Sequence, residues 1–330
     1  MATTAPSGIP PAPTTVIFDL GGVVLGWAPH RAYEQVLPAQ EVPAFLNAID
    51  FWEWNRALDA GLPYAEGERR LVEQFPHWAE AVTAYRRHFD RTLTGMVAGT
   101  GAVIAELEQA GIRLLALTNW SAETFPHARA RFGLLKRFEG IVVSGEEKLC
   151  KPDPAVFELL CERFQVEPAG CVFVDDSAVN VAGAADLGMT ALRFTDATAL
   201  RRDLQSLGLL GERPGVSEPL FHLTERASWQ EATETGSFPW SSRGVSYEQE
   251  GFVHCSYAHQ VRRLPELYYS DVDPGELVVL ELDVRDGSVP VVVEEIAPGT
   301  WLPHLYAPLP VDHVSSVHPL PDFARQHPSP

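Results

Sequence analysis

Residues 14–22 read TTVIFDLGG, a β-branched apolar run that ends in an acidic residue and two glycines. Four later apolar runs have the length and composition of buried strands. They are IRLLALTN at 112–119, GIVVSG at 140–145, CVFVDD at 171–176 and ALRF at 191–194. Apolar strands separated by helical patterns predict βαβ units and a parallel sheet with both faces covered. The predicted fold class of this part of the chain is therefore α/β, with a Rossmann-like parallel sheet.

Two helices connect these strands in the prediction. The stretch 101–111 has helical spacing and stops at Gly111, which suits a helix C-terminus. The stretch 153–166 begins with Asp153 as a potential N-cap and Pro154 at the first helical position. The 70-odd residues after the first strand are far too long for an ordinary crossover. We therefore expect an inserted helical subdomain at 27–97, above the carboxyl ends of the strands.

A Gly/Pro-rich stretch at 211–218 reads as a linker, and short strand-like runs follow it. These runs, ELVVLELDV and VPVVVEE, predict a second α+β domain. The expected organisation is a tail at 1–13, a core at 14–26 and 98–210 with the helical insertion 27–97, the linker 211–218, the second domain 219–322 and a tail at 323–330.

The composition and the net charge of the chain argue against several classes of protein. Hydrophobic residues make up 45% of the chain and charged residues 21%, as in a folded globular protein. The net charge of −19 argues against a general nucleic-acid binder, because an acidic surface repels phosphate backbones. No apolar run approaches the roughly 18 residues of a membrane span, and residues 1–15 lack the features of a secretory signal. Four cysteines without CxxC pairing fit a reducing compartment, so we expect a cytoplasmic protein.

Polar side chains follow several of the predicted strands at their carboxyl ends. In open α/β sheets this edge is where ligands bind. Three carboxylates at one edge repel each other unless a divalent cation neutralises them, and a lysine beside them would receive an anion. The pattern therefore predicts an Mg²⁺ site with an adjoining anion receptor. The side chains expected there are Asp19, Thr118, Asn119, Lys151, Asp175 and Asp176.

The ordered motifs FDLGG, LTN, KPDP and VDD resemble those of the haloacid dehalogenase superfamily of aspartate-nucleophile hydrolases, over residues 14–196. The long insertion looks like the helical cap of the family's first cap class. The resemblance implies an Mg²⁺-dependent phosphoric monoester hydrolase that acts on a small phosphorylated metabolite through an aspartyl-phosphate. A 2-haloacid dehalogenase is less favoured, because those enzymes resemble DxYGT at the first motif and carry Ser and Asn at the fourth.

Carried over by motif position, the resemblance makes Asp19 the nucleophile and Lys151 the bridge between nucleophile and phosphate. It makes Thr118 and Asn119 the holders of the phosphoryl oxygens. Lys148 is the alternative to Lys151, although the KPDP context favours the latter.

The same resemblance supplies the metal ligands. They are Asp19, the main-chain carbonyl of Gly21, Asp175 and Asp176, with Asp176 preferred over Asp175 as the direct ligand.

One departure from the family pattern concerns Gly21, because family phosphatases usually carry a second Asp at this position as general acid and base. General acid–base catalysis is typically worth about 10²–10⁴-fold. The enzyme could act on esters with good leaving groups, use a cap residue such as His30 or Glu53, or bind a phosphorylated metabolite as a sensor. The FDLGG variant resembles that of sugar-1-phosphate-type phosphatases, which favours the first reading and an anomeric sugar phosphate.

Residues 219–322 resemble a small bacterial domain, domain of unknown function 952, which is similar to the ADP-ribosyltransferase fold. The blocks GFVHCS and PHLYAPLP carry the resemblance. Converging histidines would form a neutral polar pocket suited to a nucleotide or ribose, so the main activity could instead lie here, on an NAD- or ADP-ribose-like ligand. Structural histidines and a zinc site are the alternatives. The candidate pocket residues are His222, His254, Ser256, His304 and Tyr306.

Overall fold

The computed structural model describes residues 13–309 and 311–327. The expected tail residues 1–12 and 328–330 lie outside this part of the chain. The chain forms two compact units, one ending at Gly211 and the other beginning at Glu212, with the short segments 101–109 and 132–134 grouped with the second. Within the described residues, every helix is too short or too polar to cross a membrane.

The elements before residue 212 alternate between strands and helices. The strands are β1 Thr15–Phe18, β2 Leu25–Trp27, β3 Leu93–Met96, β4 Arg113–Thr118, β5 Gly140–Val143, β6 Cys171–Asp175 and β7 Thr190–Arg193. The helices are α1 Val42–Ala48, α2 Phe51–Asp59, α3 Tyr64–Gln74, α4 Ala79–Arg87, α5 Phe89–Thr92, α6 Thr100–Gln109, α7 Phe125–Arg131, α8 Ser144–Glu147, α9 Pro154–Phe164, α10 Ala178–Asp186 and α11 Ala197–Ser206.

Five strands form a parallel sheet in the order β5-β4-β1-β6-β7. Strand β1 lies at its centre and all four of its residues are buried, as expected for a parallel strand covered on both faces. Helix α9 begins as predicted, because the Asp153 carboxylate accepts a hydrogen bond of 2.9 Å from the Ala155 main-chain N–H. The predicted α/β fold class is confirmed.

The long insertion after β1 is helical. Strands β2 and β3 pair as an antiparallel ribbon at its two ends, and α1 to α5 lie between them. Its interior is an aromatic cluster in which Tyr85 makes edge contacts with Phe51 at 5.1 Å and Trp54 at 5.6 Å between ring centroids. This helical segment, which we call the cap, places the last turn of α2 against the core of the first unit: the Asp59 carbonyl accepts a 2.6 Å hydrogen bond from the Ser144 hydroxyl.

The second unit is built of short antiparallel sheets. Its strands are β8 Leu220–Glu225, β9 Trp240–Ser242, β10 Val245–Ser246, β11 Val253–His254, β12 Leu277–Leu282, β13 Val291–Ala297, β14 Thr300–Leu305 and β15 Val314–Pro319. Its helices are α12 Arg226–Thr235, α13 Tyr247–Glu250, α14 Ala258–Val261, α15 Leu264–Tyr268 and α16 Leu320–Gln326. The sheet orders are β15-β12-β8, β11-β14-β13 and β10-β9.

Strand β12 organises this unit because its two faces enter two different apolar clusters. Val278 and Leu280 face one cluster, whereas Leu277 and Val279 face the other, as the two-residue period of a strand requires. The predicted α+β class is confirmed by the mixture of sheets and helices. The expected tail from residue 323 is wrong in its start, because Phe323 is fully buried in α16 and contacts Phe221 at 5.1 Å.

Candidate active site

The carboxyl ends of β1 and β6 bring two carboxylates to one lysine. These strands are neighbours in the parallel sheet, so Asp19 after β1 and Asp175 at the end of β6 reach the same edge. The Lys151 Nζ donates hydrogen bonds to Asp19 Oδ1 at 2.8 Å and to Asp175 Oδ2 at 2.7 Å. It donates a third to the Leu117 carbonyl at 2.8 Å, so all three of its protons have a partner. Lys148, the alternative lysine, lies instead at the end of α8.

Burial makes this cluster electrostatically strained. The Lys151 side chain is 1% exposed, and burial alone would lower its pKa. The two carboxylates outweigh that effect and hold the pKa of Lys151 above its ordinary value. Burial also raises the pKa of Asp19, against the attraction of Lys151 and with the repulsion of Asp175. Two negative charges facing one positive charge leave the site in need of a further cation.

The donor set fits an oxygen-preferring dication. Oxygens of Asp19, Asp175 and Asp176 lie within 4.8 Å of one another. The Asp175 carboxylate is already used, because it accepts hydrogen bonds from Lys151, from the Ser177 main-chain N–H at 2.8 Å and from the Asn180 amide at 3.1 Å. Asp176 is exposed, so its carboxylate is the more accessible of the adjacent pair.

The loop after Asp19 requires glycine beside the acidic pair. Gly22 has a φ of +77°, and a Cβ at this residue would lie 2.6 Å from Asp176 Oδ2. Any other residue would therefore meet both a left-handed backbone and the Asp176 carboxylate. Gly21 differs, because a Cβ there would have no atom within 4 Å.

The two residues predicted to hold phosphoryl oxygens lie at the same edge. Thr118 is the buried last residue of β4. The Asn119 side chain is already occupied, since its amide donates to the Lys151 carbonyl at 3.0 Å and its oxygen accepts from the Lys151 N–H at 2.9 Å. Asn119 therefore positions the Lys151 backbone, and a phosphoryl contact from Asn119 would have to come from its main chain.

A cleft between the cap and the core of the first unit adjoins these residues. It encloses about 380 Å³ of empty space, including solvent at its mouth. Gly21 and Asn119 connect it to the carboxylate cluster. The lining residues are Gly21, Trp27, Asn55, Asp59, Tyr64, Tyr85, Phe89, Asn119, Trp120 and Thr124.

The cap contributes an acidic residue to this cleft that the sequence reasoning missed. Asp59 is the last residue of α2, and its carboxylate accepts a 2.9 Å hydrogen bond from the Asn55 amide. Neither cap candidate named above is among the residues that line this cleft: His30 is exposed, and the Glu53 side chain is 63% exposed in an ion pair with Arg56. Asn55 and Asp59 are four residues apart on one helix, and this spacing of two polar residues was the available signal.

The second unit has a separate pocket of about 520 Å³, again including solvent at its mouth. Among its lining residues are three of the predicted ones, His222, His254 and Ser256, together with Arg243. The His222 Nδ1 lies 2.7 Å from the His254 carbonyl. Burial lowers the pKa of both histidines to about 4, so both are neutral near pH 7.

His304 and Tyr306 adjoin this pocket without being among its lining residues. The His304 ring lies 4.8 Å from the His254 ring between centroids, so the three histidines do converge. His304 and Tyr306 both bind Glu294 Oε2, at 2.5 Å from the imidazole Nδ1 and 2.6 Å from the phenol. Within the described residues, the histidines do not form a group of three potential metal ligands. The acidic residues of the first unit do form such a group.

Comparison with known proteins places the first part of the chain. Residues 13–188 match the sequence model described as haloacid dehalogenase-like hydrolase, and residues 223–317 match one described as a protein of unknown function, DUF952. A sesquiterpene phosphatase of Aspergillus oryzae is 26% identical over 58% of this chain and 94% of its own length. The plasmid phosphoglycolate phosphatase of Cupriavidus necator is 30% identical over 53% of this chain and 78% of its own length.

Two further proteins are similar to this chain over only part of its length. Acyl-CoA dehydrogenase family member 10 of Mus musculus is 27% identical over 58% of this chain, which spans 19% of the mouse protein. A solved haloacid dehalogenase family enzyme of Bacteroides thetaiotaomicron has 18% identity and a TM-score of 0.46, over 56% of this chain and 95% of that one. The likeness of the second unit to ADP-ribosyltransferases stays a prediction.

The match over 13–188 covers more than half of the sequence, and the match over 223–317 follows it. The chain therefore belongs to the haloacid dehalogenase-like hydrolase family and carries a DUF952 domain after its hydrolase domain.

Proposed function

We propose that the chain is a magnesium-dependent phosphatase that hydrolyses a small phosphomonoester through a phosphorylated Asp19. The observation that carries the proposal is the convergence of Asp19, Lys151 and Asp176 at one edge of the sheet. The similarity to the two phosphatases named above supports the same reaction class. A cytoplasmic location, expected from the sequence, stays a prediction.

Each residue of the site has its own role in the proposed reaction. Lys151 fixes one carboxylate oxygen of Asp19 and offers positive charge where a phosphate dianion must approach an anionic nucleophile. Asp19 attacks phosphorus as the ester P–O bond breaks, and water then hydrolyses the aspartyl-phosphate to inorganic phosphate. Asp19, Asp176 and the Gly21 carbonyl would hold magnesium, which supplies charge neutralisation when bound. Thr118 and the main chain of Asn119 would contact the phosphoryl oxygens.

The cleft beside the site indicates the substrate class. Its lining residues include several aromatic rings and no arginine, lysine or histidine. The indole N–H of Trp120 is buried without a hydrogen-bond partner in the described part of the chain, and so offers a donor to a ligand oxygen. Aromatic walls with single hydrogen-bonding groups suit an uncharged, hydroxyl-bearing leaving group such as a sugar. An anomeric sugar phosphate is the substrate that we propose.

The test is phosphate release from 4-nitrophenyl phosphate by the full chain, with Mg²⁺ and with a chelator. We expect release only with Mg²⁺ and a loss of about 10³-fold or more in Asp19→Asn. Asp186→Asn, which changes an exposed carboxylate at the end of α10, is the matched control and should remain active. Equal rates for Asp19→Asn and the wild type would reject the proposal, whereas retained phosphate binding without turnover would favour the sensor.

A second candidate function concerns the pocket of the second unit. The neutral pair His222 and His254, with Ser256 beside them, supports binding of an NAD- or ADP-ribose-like ligand. Calorimetric titration of the full chain with NAD and with ADP-ribose tests it, with His254→Leu as the comparison. Heat of binding that disappears in the variant supports this function, and no heat with either ligand removes it.

A further inference from the structure

The structure raises a chemical problem at Gly21. When the ester bond breaks, the departing oxygen needs a proton unless the leaving group is strongly acidic. The residue two positions after Asp19 has no side chain to supply that proton. An anomeric sugar hydroxyl is only weakly acidic, so another group near the phosphorus that supplies the proton would speed its departure.

Asp59 lies where such a group is needed. It lines the same cleft as Gly21 and Asn119, the two residues that connect the cleft to the nucleophile. No other carboxyl group is among the residues that line this cleft. The cleft is also where the leaving group must lie, because Lys151 and the acidic cluster occupy the phosphate side of the site.

The Asp59 side chain is fixed rather than free to rotate. Its carboxylate accepts hydrogen bonds from the Asn55 amide at 2.9 Å and from the Ser121 main chain. Its carbonyl is held at 2.6 Å by the Ser144 hydroxyl. Asn55 in turn accepts a 3.1 Å hydrogen bond from the buried Tyr85 phenol. Residues from both the cap and the core therefore set the direction of the carboxyl group.

The surroundings of Asp59 favour its protonated form. Burial raises its pKa to about 7, against the hydrogen bond from the Ser121 main chain, which favours the carboxylate. Its place at the carboxyl end of α2 works in the same direction, because the negative end of the helix dipole disfavours a carboxylate. A carboxyl group that titrates near neutral pH can both donate and accept a proton.

We propose that Asp59 is the general acid and base of this active site, in place of the side chain that Gly21 lacks. The inference rests on the proposed phosphatase function. In the first step the Asp19 carboxylate forms a bond to phosphorus, the P–O ester bond breaks, and the departing oxygen takes the Asp59 proton. In the second step the Asp59 carboxylate takes a proton from water, whose oxygen attacks phosphorus and releases Asp19.

Two esters with different leaving groups test this role. Phenyl phosphate has a weakly acidic leaving group that needs the proton, and 2,4-dinitrophenyl phosphate has a strongly acidic one that does not. The pre-steady-state rate of phenol release, with ester in excess over enzyme, is measured for the wild type, Asp59→Asn and Glu53→Gln. Glu53→Gln is the matched control, because it neutralises an exposed carboxyl group of the same helix.

For Asp59→Asn we expect release from phenyl phosphate to fall by about 10²-fold or more. Release from dinitrophenyl phosphate should remain at the wild-type rate and appear as a burst, because slow hydrolysis of the aspartyl-phosphate then limits turnover. Gly21→Asp should restore phenyl phosphate hydrolysis to Asp59→Asn, since Gly21 has room for a side chain. Glu53→Gln should resemble the wild type with both esters.

Equal slowing of both esters in Asp59→Asn would reduce Asp59 to a positioning residue and overturn the proposal. An unchanged rate with both esters would overturn it as well. A wild type that releases neither phenol would instead reject the phosphatase function itself, and this inference with it. Thermal unfolding of each variant confirms that the rates are those of a folded protein.

Discussion

Two cations of this molecule each bind two carboxylates, but in opposite surroundings. Lys151 contacts Asp19 and Asp175 at 2.8 and 2.7 Å with a side chain that is 1% exposed. Arg243 contacts Glu225 and Asp271 at 2.9 and 2.5 Å with a side chain that is 35% exposed. The distances are similar, whereas the access of water is not.

The difference separates a buried charge cluster from a solvent-exposed one. Water screens the Arg243 cluster, so its carboxylates lose little if the arginine is removed. The Lys151 cluster lies in the protein interior, where each charge depends on the others. In the proposed reaction, the buried charge of Lys151 helps to bind a phosphate dianion beside an anionic nucleophile.

The largest expected effect comes from removing the buried cation. Lys151→Met leaves two carboxylates without their partner, so we expect the free energy of unfolding to fall by about 3–5 kcal/mol. Urea unfolding in the presence of a chelator measures the change. Lys136→Met, at an exposed lysine, is the control and should be nearly neutral. A Lys151 variant as stable as the control would show that the buried cluster contributes nothing to folding.

The second unit buries His222 in its neutral form, so the stability of this unit depends on pH. The pKa of His222 is about 4 in the folded state against an ordinary 6.5. The unfolded chain therefore binds one more proton between these values, and stability falls as the pH drops from about 6.5 to about 4. We expect a loss of about 3 kcal/mol over this window from His222 alone.

Unfolding of the second unit, followed from pH 7 to pH 4 in the wild type and in His222→Gln, checks this effect. The variant has no imidazole to protonate, so its free energy of unfolding should depend less steeply on pH. Parallel slopes for the two proteins would mean that His222 takes up a proton as readily in the folded state as in the unfolded chain.

The smallest effect is expected at the exposed cluster. Arg243→Met removes both ion pairs of this residue, yet solvent replaces them, and we expect a change below about 1 kcal/mol that shrinks further in high salt. Chemical unfolding at low and high ionic strength measures it. A loss as large as that of Lys151→Met would remove the distinction between the two clusters.

Much of the fold was predictable, because parallel strands with both faces buried leave a clear apolar pattern at positions such as 15–18. The core of the candidate site was predictable for a related reason. The carboxyl ends of parallel strands meet at one edge, so Asp19 and Asp175 must lie close together wherever the intervening chain goes. Lys151 followed from its motif, and the structure joins it to both carboxylates.

The position of Asp59, which the cap contributes to the cleft, was not predictable in the same way. Glu53 and Asp59 lie on one helix, and their sequence does not say which of the two faces the core. That is decided by contacts from distant parts of the chain, in which Ser144 and Ser121 hold the end of the helix. The histidines of the second unit were predicted to converge, whereas the bond of His304 to Glu294 was not predicted.

The Ser144 hydroxyl donates to the Asp59 carbonyl and accepts a 2.9 Å hydrogen bond from the Trp120 main-chain N–H, so it joins the cap to the loop after β4. In the proposed mechanism Asp59 and Asp19 act on the same phosphoryl group, one from the cap and the other from the core. Proton transfer therefore depends on the cap and the core keeping the arrangement that this contact fixes.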